Sequence, residues 1–302
     1  MQGGKFGPLQ CSNSTDKVGK SAFQQGKHLY LYKEMVPILP LTMVDDLLGI
    51  ANCGQESLSL NTYLNAKFEL KKLRFHTPDE KGKSKCHIIH VGKESSLCPK
   101  LQVHGETMEK VNEDIYLGDC ISGVGSNKKS IEMRKSRGMN TICEIMNILD
   151  NISFGEHYFS TALVLRESLF LSSILTNTEV WVGLTNKNIK EFEDLDMKLL
   201  RKILRTHFSV PSEAVRLELG LLDIDTMIKS RRLNFFRYLV GQSENTMLYK
   251  FFLCQLMYPC QDDWTIQVKQ DLIDFNFSCQ IEDIKSISRQ KAKNTVSKST
   301  LN

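Results

Sequence analysis

Two adjacent carboxylates, Asp45 and Asp46, interrupt the apolar run from Leu39 to Val44 before Leu47, Leu48 and Ile50 resume it. Like charges this close raise each other's pKa unless something positive sits between them. A divalent metal removes the conflict. Oxygen ligands suit Mg²⁺, which is usually held by one or two carboxylates plus substrate phosphates. Two such ions, about 4 Å apart, can clamp the attacking and leaving oxygens of a phosphoryl transfer. The same dipeptide is also ordinary turn chemistry, because Asp favours tight turns. Context must decide between the two.

The elements that would position these acids follow from periodicity. The stretch from His28 to Val44 is aromatic and β-branched and is broken by Pro37 and Pro40. It reads as strand, turn and strand, with a return strand after the acids. Asp45 and Asp46 therefore fall at or near the tip of a β-hairpin, where neighbouring side chains point to opposite faces. Leu60, Leu64 and Phe68, with Tyr63, mark one face of a helix over 56–72. A strand at Cys86–Gly92 and two more within 101–122 complete a mixed α/β segment. From about residue 128 the pattern is helical. Ile142, Ile145, Met146, Leu149 and Ile152 share one face, and Phe192, Leu195, Leu199 and Ile203 share another. The stretch from Ser160 to Leu175 is apolar nearly all round and reads as a central buried helix. Ser212 and Gly220 bracket a further helix as N-cap and stop. Ile224, Met227, Ile228, Phe235 and Leu239 face one way on the next, with Arg231, Arg232 and Arg237 around them. The tail after Lys285 is basic and polar.

Composition bounds the classes. The chain has 302 residues, 39 basic and 35 acidic, for a net charge of +4. That balance alone does not call for a polyanionic partner. No apolar run in the sequence reaches bilayer-spanning length, so no membrane partner is expected. Nine cysteines, an odd number without a framework, suit a reducing intracellular compartment, nucleus or cytoplasm.

Four segments carry a resemblance: Gln2–Lys20, Ile38–Gly54, Lys83–Lys93 and Tyr116–Ser122. Their content, order and spacing resemble the second half of the reverse transcriptase of a non-LTR (LINE-type) retrotransposon, a transposable element. The segments Phe154–Thr185 and Leu195–Gly220 resemble the post-palm region of the same elements. The resemblance implies an RNA-directed DNA polymerase, a nucleotidyltransferase, acting on an RNA template, a DNA primer and dNTPs. It implies that Asp45 is the main metal ligand and Asp46 the second acid of a two-ion Mg²⁺ site. Gln2, Gly3 and Lys85 would contact the template and incoming nucleotide. Tyr116, Leu117 and Gly118 would belong to the primer grip. Met43 stands where the family usually has Tyr or Phe. The first palm strand, with its further metal-binding Asp, would precede Gln2. The expectation is therefore a polymerase fragment with little or no activity alone. The alternative is a non-catalytic remnant that binds RNA or an RNA–DNA hybrid.

Other candidates are weaker. Cys86, His87, His90 and Cys98 invite a zinc reading, but the spacing fits no standard finger and residues 87 and 90 of a strand point to opposite faces. Lys71, Lys72, Lys81 and Lys83 form a basic cluster near the acids, and Arg231 and Arg232 lie on a helix. All six could meet phosphates in a salt-sensitive, sequence-independent way. The segment Gly123–Asn127 reads as a hinge. The expected fold is α+β: a partial polymerase palm with an antiparallel sheet over 1–125, a helical thumb over 126–207, a helical extension over 208–285 and a basic disordered tail over 286–302. No obligate protein partner is inferable from the sequence.

Overall fold

The structure, a computed structural model, describes residues 29–31, 36–38, 41–43, 46–51, 53–72, 85–91, 99–103, 105–257 and 264–277. The basic tail lies outside these residues. The chain divides into two units, Met1–Ser126 and Asn127–Asn302. The first is mixed α/β and the second is helical.

In the first unit, β1 (Leu29–Leu31) pairs with β2 (Val36–Ile38), and β3 (Leu41–Met43) pairs with β4 (Asp46–Leu48), both antiparallel. Helix α1 (Gly54–Leu70) follows. Its four-residue apolar spacing buries Leu64 and Phe68, against which Leu47, Leu60 and Tyr63 pack. Asn61 and Asn65, one turn apart, each donate a side-chain amide N–H to the Gln102 carbonyl, at 2.8 and 2.9 Å. These bonds tie α1 to β6 (Gln102–Val103), which pairs with β7 (Glu106–Thr107). Strand β5 (His87–Ile89) runs parallel to β8 (Glu109–Val111). The expectation of one antiparallel sheet is corrected here: the described strands form separate two-stranded pairs, and β5–β8 is parallel. The intervening β6–β7 hairpin returns the chain in the direction of β5.

The last pair is a tight hairpin of β9 (Glu113–Tyr116) and β10 (Asp119–Ser122). Leu117 and Gly118 join the strands with φ of 50° and 80°. Two positive φ values in a two-residue loop match the type I′ turn, whose twist suits a hairpin. Gly123 then packs so tightly that an added Cβ would run into the His90 carbonyl oxygen.

The second unit starts with α2 (Lys128–Leu149), which buries Ile131, Arg134, Gly138, Ile142, Ile145 and Leu149 at three- and four-residue steps. Gly138 is small because the segment carrying Ile174 crosses there: a Cβ would meet Ile174 Cγ2 at 2.6 Å. Helix α3 (Glu156–Leu165) runs through a π-helical turn, Arg166–Leu171, into α4 (Ser172–Leu175). Tyr158, Ala162, Arg166, Phe170 and Ile174 are all buried along it. Each four-residue step in an α-helix overshoots a full turn by about 40°. Four such steps would carry Ile174 to the far side; the wider π turn absorbs part of that rotation and keeps all five facing inward.

Two sequence expectations change here. The helix is not buried all round, since Val164 is 63% and Leu169 41% exposed. Counted through the π turn, Glu156–Leu175 is also long and apolar enough by length and composition to cross a membrane, the one such helix among the described residues. Its inward side is instead packed in the helical core and carries the Arg166–Asp196 pair.

Helix α5 (Asn186–Leu204) starts at a Thr185–Asn188 capping box and buries Phe192, Leu195, Leu199 and Ile203 on its expected face. Helix α6 (Ser212–Leu219) has Pro211, not Ser212, at its N-cap and stops at Gly220 with φ 62°. Helix α7 (Ile224–Val240) is capped by the Asp223 side chain, which accepts from Thr226 N–H at 2.6 Å. Helices α8 (Met247–Met257) and α9 (Trp264–Asp274) complete the unit. One apolar cluster runs from Ile131 to Ile228, and a second joins the C-terminal half of α7 to α8 and α9. The first cluster passes straight through position 207, so the expected division into thumb and extension there does not correspond to a break in packing. The change of core falls within α7, a continuous helix.

Candidate nucleotidyl-transfer site

The β3–β4 hairpin sets the register of the acids. Met43 is the Cα partner of Asp46, so Asp46 opens the return strand and its side chain is exposed. Asp45 lies between the two partners, outside the described residues, as do Gln2, Gly3, Lys81 and Lys83. Among the described residues no cation pairs with the Asp46 carboxylate. An exposed carboxylate oxygen is a suitable donor for a hard divalent cation. Among the described residues no group of three or more His, Cys, Asp or Glu side chains is placed to hold a metal.

Tyr116 belongs to the β9–β10 hairpin, some seventy positions along, and the structure couples it to Asp46. Burial raises the Tyr116 phenol above its ordinary value first, and the Asp46 charge raises it further. A carboxylate resists a second negative charge nearby. Two residues to which the resemblance gives separate roles, at the metal and at the primer grip, are thus within electrostatic reach of each other. The next residue, Leu117, is half-exposed at the turn, and Gly118 follows it.

Lys85 is exposed just before β5, and Lys71 and Lys72 are exposed at the end of α1. The His87 Nδ1–H donates to Asp114 Oδ2 at 2.6 Å, linking β5 to β9. That contact gives His87 a structural partner in place of the zinc weighed from sequence. Twenty-seven positions separate the two residues, and no local signal in either segment announces the pair.

The two arginines of α7 behave differently from one another. Arg231 is exposed, donates to the Leu175 carbonyl at 3.1 Å and approaches Glu179 at 4.0 Å. It finishes the C-terminus of α4, where free carbonyls attract cations. Arg232 is a correction: it is buried and donates to Asp271 Oδ2 at 2.8 Å. A side chain enclosed and paired in this way cannot reach a phosphate. The aromatic placement also shifts by one residue, since Phe236 rather than Phe235 lies fully in the core.

Comparison of the chain with protein-family models, with curated proteins and with solved structures finds no match.

Proposed function

We propose that the chain is a portion of an RNA-directed DNA polymerase of the non-LTR retrotransposon type. In this reading it contributes Asp45 and Asp46 to a two-metal nucleotidyl-transfer site. The observation that carries the reading is the Asp-Asp hairpin: Asp46 opens its return strand opposite Met43, and its charge acts on Tyr116 of the β9–β10 hairpin. The order of the segments that carry the resemblance, from Gln2 to Ser122, supports it.

Asp45 and Asp46 would hold Mg²⁺ through carboxylate oxygens, and the bound ions would stabilise the charge that develops on the transferred phosphoryl group. The chain's own contribution is to open a short return strand with Asp46 and to let the Asp46 charge act on Tyr116. Exposed Lys71, Lys72 and Lys85 add positive charge in the same unit for a polyanionic template and primer. RNA, DNA primer and dNTP are the partners the reading implies, in an intracellular setting.

Primer extension on an RNA template with Mg²⁺ tests it, with the Asp45→Asn, Asp46→Asn double variant alongside and a cooperative melt as proof of folding. Calorimetric titration with Mg²⁺ is the second readout. The expected result is a Mg²⁺ affinity, and any extension activity, that both vanish in the double variant. Mg²⁺ affinity unchanged by the two substitutions would remove the acids from the assignment. Metal binding without extension would leave the non-catalytic reading, in which the chain binds RNA or an RNA–DNA hybrid.

A further inference from the structure

The last two turns of α5 carry Lys198, Arg201 and Lys202, and Arg205 caps the C-terminus of the helix, so that four cations gather at that end. They line an open groove of about 490 Å³ with Phe208, and Asp194 is the acid at its rim. Lys198, Lys202 and Arg205 are exposed. Among the described residues none of the three is ion-paired with a carboxylate. Lys198 Nζ reaches Met139 Sδ at 3.7 Å. Arg201 is committed to the fold, donating to the Val210 carbonyl at 3.0 Å and to Ser212 Oγ at 3.3 Å. Arg205 stacks its guanidinium 4.5 Å from the Phe154 ring centre and 5.5 Å from that of Tyr158. Stacking occupies the face of a guanidinium and leaves its in-plane N–H donors for an anion.

Cations in the last turns of a helix also complement its dipole. That explains their presence but not the aromatic beside them. Phe208 is 77% exposed, with the His207 ring centre 4.0 Å away. Ser209 N–H donates to His207 Nδ1 at 3.3 Å, fixing the turn that holds the Phe208 ring outward. An apolar ring held in water beside a row of cations is the combination that grips single strands, with phosphates on the cations and a base on the ring.

We infer that this groove binds single-stranded nucleic acid, with Lys198, Lys202 and Arg205 meeting phosphates and Phe208 stacking on an unpaired base. A duplex is disfavoured as the occupant because its base faces are already stacked. The groove shares no residue with the Asp45–Asp46 site, so the inference does not depend on catalysis.

The test is fluorescence anisotropy of the full chain with a labelled oligouridine of about 12 nucleotides, without Mg²⁺ or dNTP, across a salt series. Oligothymidine in place of oligouridine separates DNA from RNA. Lys198→Gln with Lys202→Gln should weaken binding and flatten the logarithmic salt slope by about 1.4, at about 0.7 per lost phosphate contact. Phe208→Ala should weaken binding roughly tenfold and leave the slope alone. Lys187→Gln with Lys190→Gln removes the same charge from the other end of α5 and should change neither. The inference is overturned if that control pair weakens binding as much, or if Phe208→Ala has no effect. It is equally overturned if a blunt duplex or inorganic polyphosphate competes as well as the single strand.

Discussion

The Asp46 carboxylate acts electrostatically on the Tyr116 hydroxyl, although the two residues sit on different hairpins of the first unit. Burial is the larger cause of the raised phenol pKa and Asp46 the second. In an alkaline ultraviolet titration the phenol that Tyr116→Phe deletes should therefore titrate above the ordinary range. In Asp46→Asn it should move down towards that range without reaching it. The sign for stability follows: a folded-state pKa above the unfolded one gives stability that is full below the unfolded value and is lost as pH rises through the folded value. A Tyr116 titration indifferent to Asp46→Asn would separate the two hairpins.

Leu117 holds a left-handed backbone, φ 50°, at an exposed turn. For a residue with a Cβ that conformation costs about 1–2 kcal/mol. Asn relieves much of it, and Asn-Gly is the favoured type I′ pair. Leu117→Asn should therefore raise stability by about 1 kcal/mol in chemical denaturation. If the primer-grip reading holds, the same variant should bind a primer–template less tightly. Neutral or lowered stability would mean that Leu117 makes contacts that offset its strain.

Asp271 is buried against Arg232, and its carboxyl is pushed up to about 6, burial outweighing the arginine's opposite pull. Its folded pKa lies above its unfolded one, so it favours the folded state below pH 4 and that contribution fades as pH rises through 6. Compared with Asp271→Asn, which keeps an acceptor for Arg232, the wild type should lose about 2 kcal/mol of stability from pH 4 to pH 7. Urea denaturation across that window measures the difference. Parallel pH profiles for the two proteins would show that Arg232 holds Asp271 ionised throughout.

Gly138 lets α2 approach α4, and an added Cβ would lie 2.6 Å from a methyl group of Ile174, itself wholly buried. A mid-helix Gly→Ala change ordinarily stabilises by up to about 1 kcal/mol through propensity. Overpacking a full core costs about 1–3 kcal/mol. The clash should win, and Gly138→Ala should lower the melting temperature. Pairing it with Ile174→Ala, which removes the clashing Cγ2 methyl, should cost less than the two single losses added together. A stabilised single variant would show that the two helices can separate without penalty.

Legibility in the sequence followed the range of the interactions. The face of α5 was readable because Phe192, Leu195, Leu199 and Ile203 repeat at helical spacing and all four are buried. Gly220 was readable as a stop because a positive φ favours glycine. The hairpin around Asp45 and Asp46 was readable from its flanking apolar runs, and the Met43–Asp46 register agrees with that placement.

What failed was charge. Arg232 was assigned to the solvated side of α7 because a lone arginine belongs there, and only Asp271, on another helix, reverses the argument. Arg166 is the same case, donating twice to Asp196 at 2.8 Å from within an apolar stretch. A buried ion requires its partner, and partners thirty or forty positions away leave no local trace. The effect of Asp46 on Tyr116 was invisible for the same reason.

The π turn at Arg166–Leu171 has a consequence for chain length. Such a turn holds one residue more than the α-helix needs to reach the same direction, and Glu167, Ser168 and Leu169 bulge outward there. Deleting Ser168 or Leu169 would let the segment relax into regular helix while Phe170 and Ile174 keep their inward bearing. Elsewhere in these helices a one-residue deletion would swing everything downstream by about 100°. This stretch therefore carries a spare residue, a place where the chain can shorten by one and keep its core.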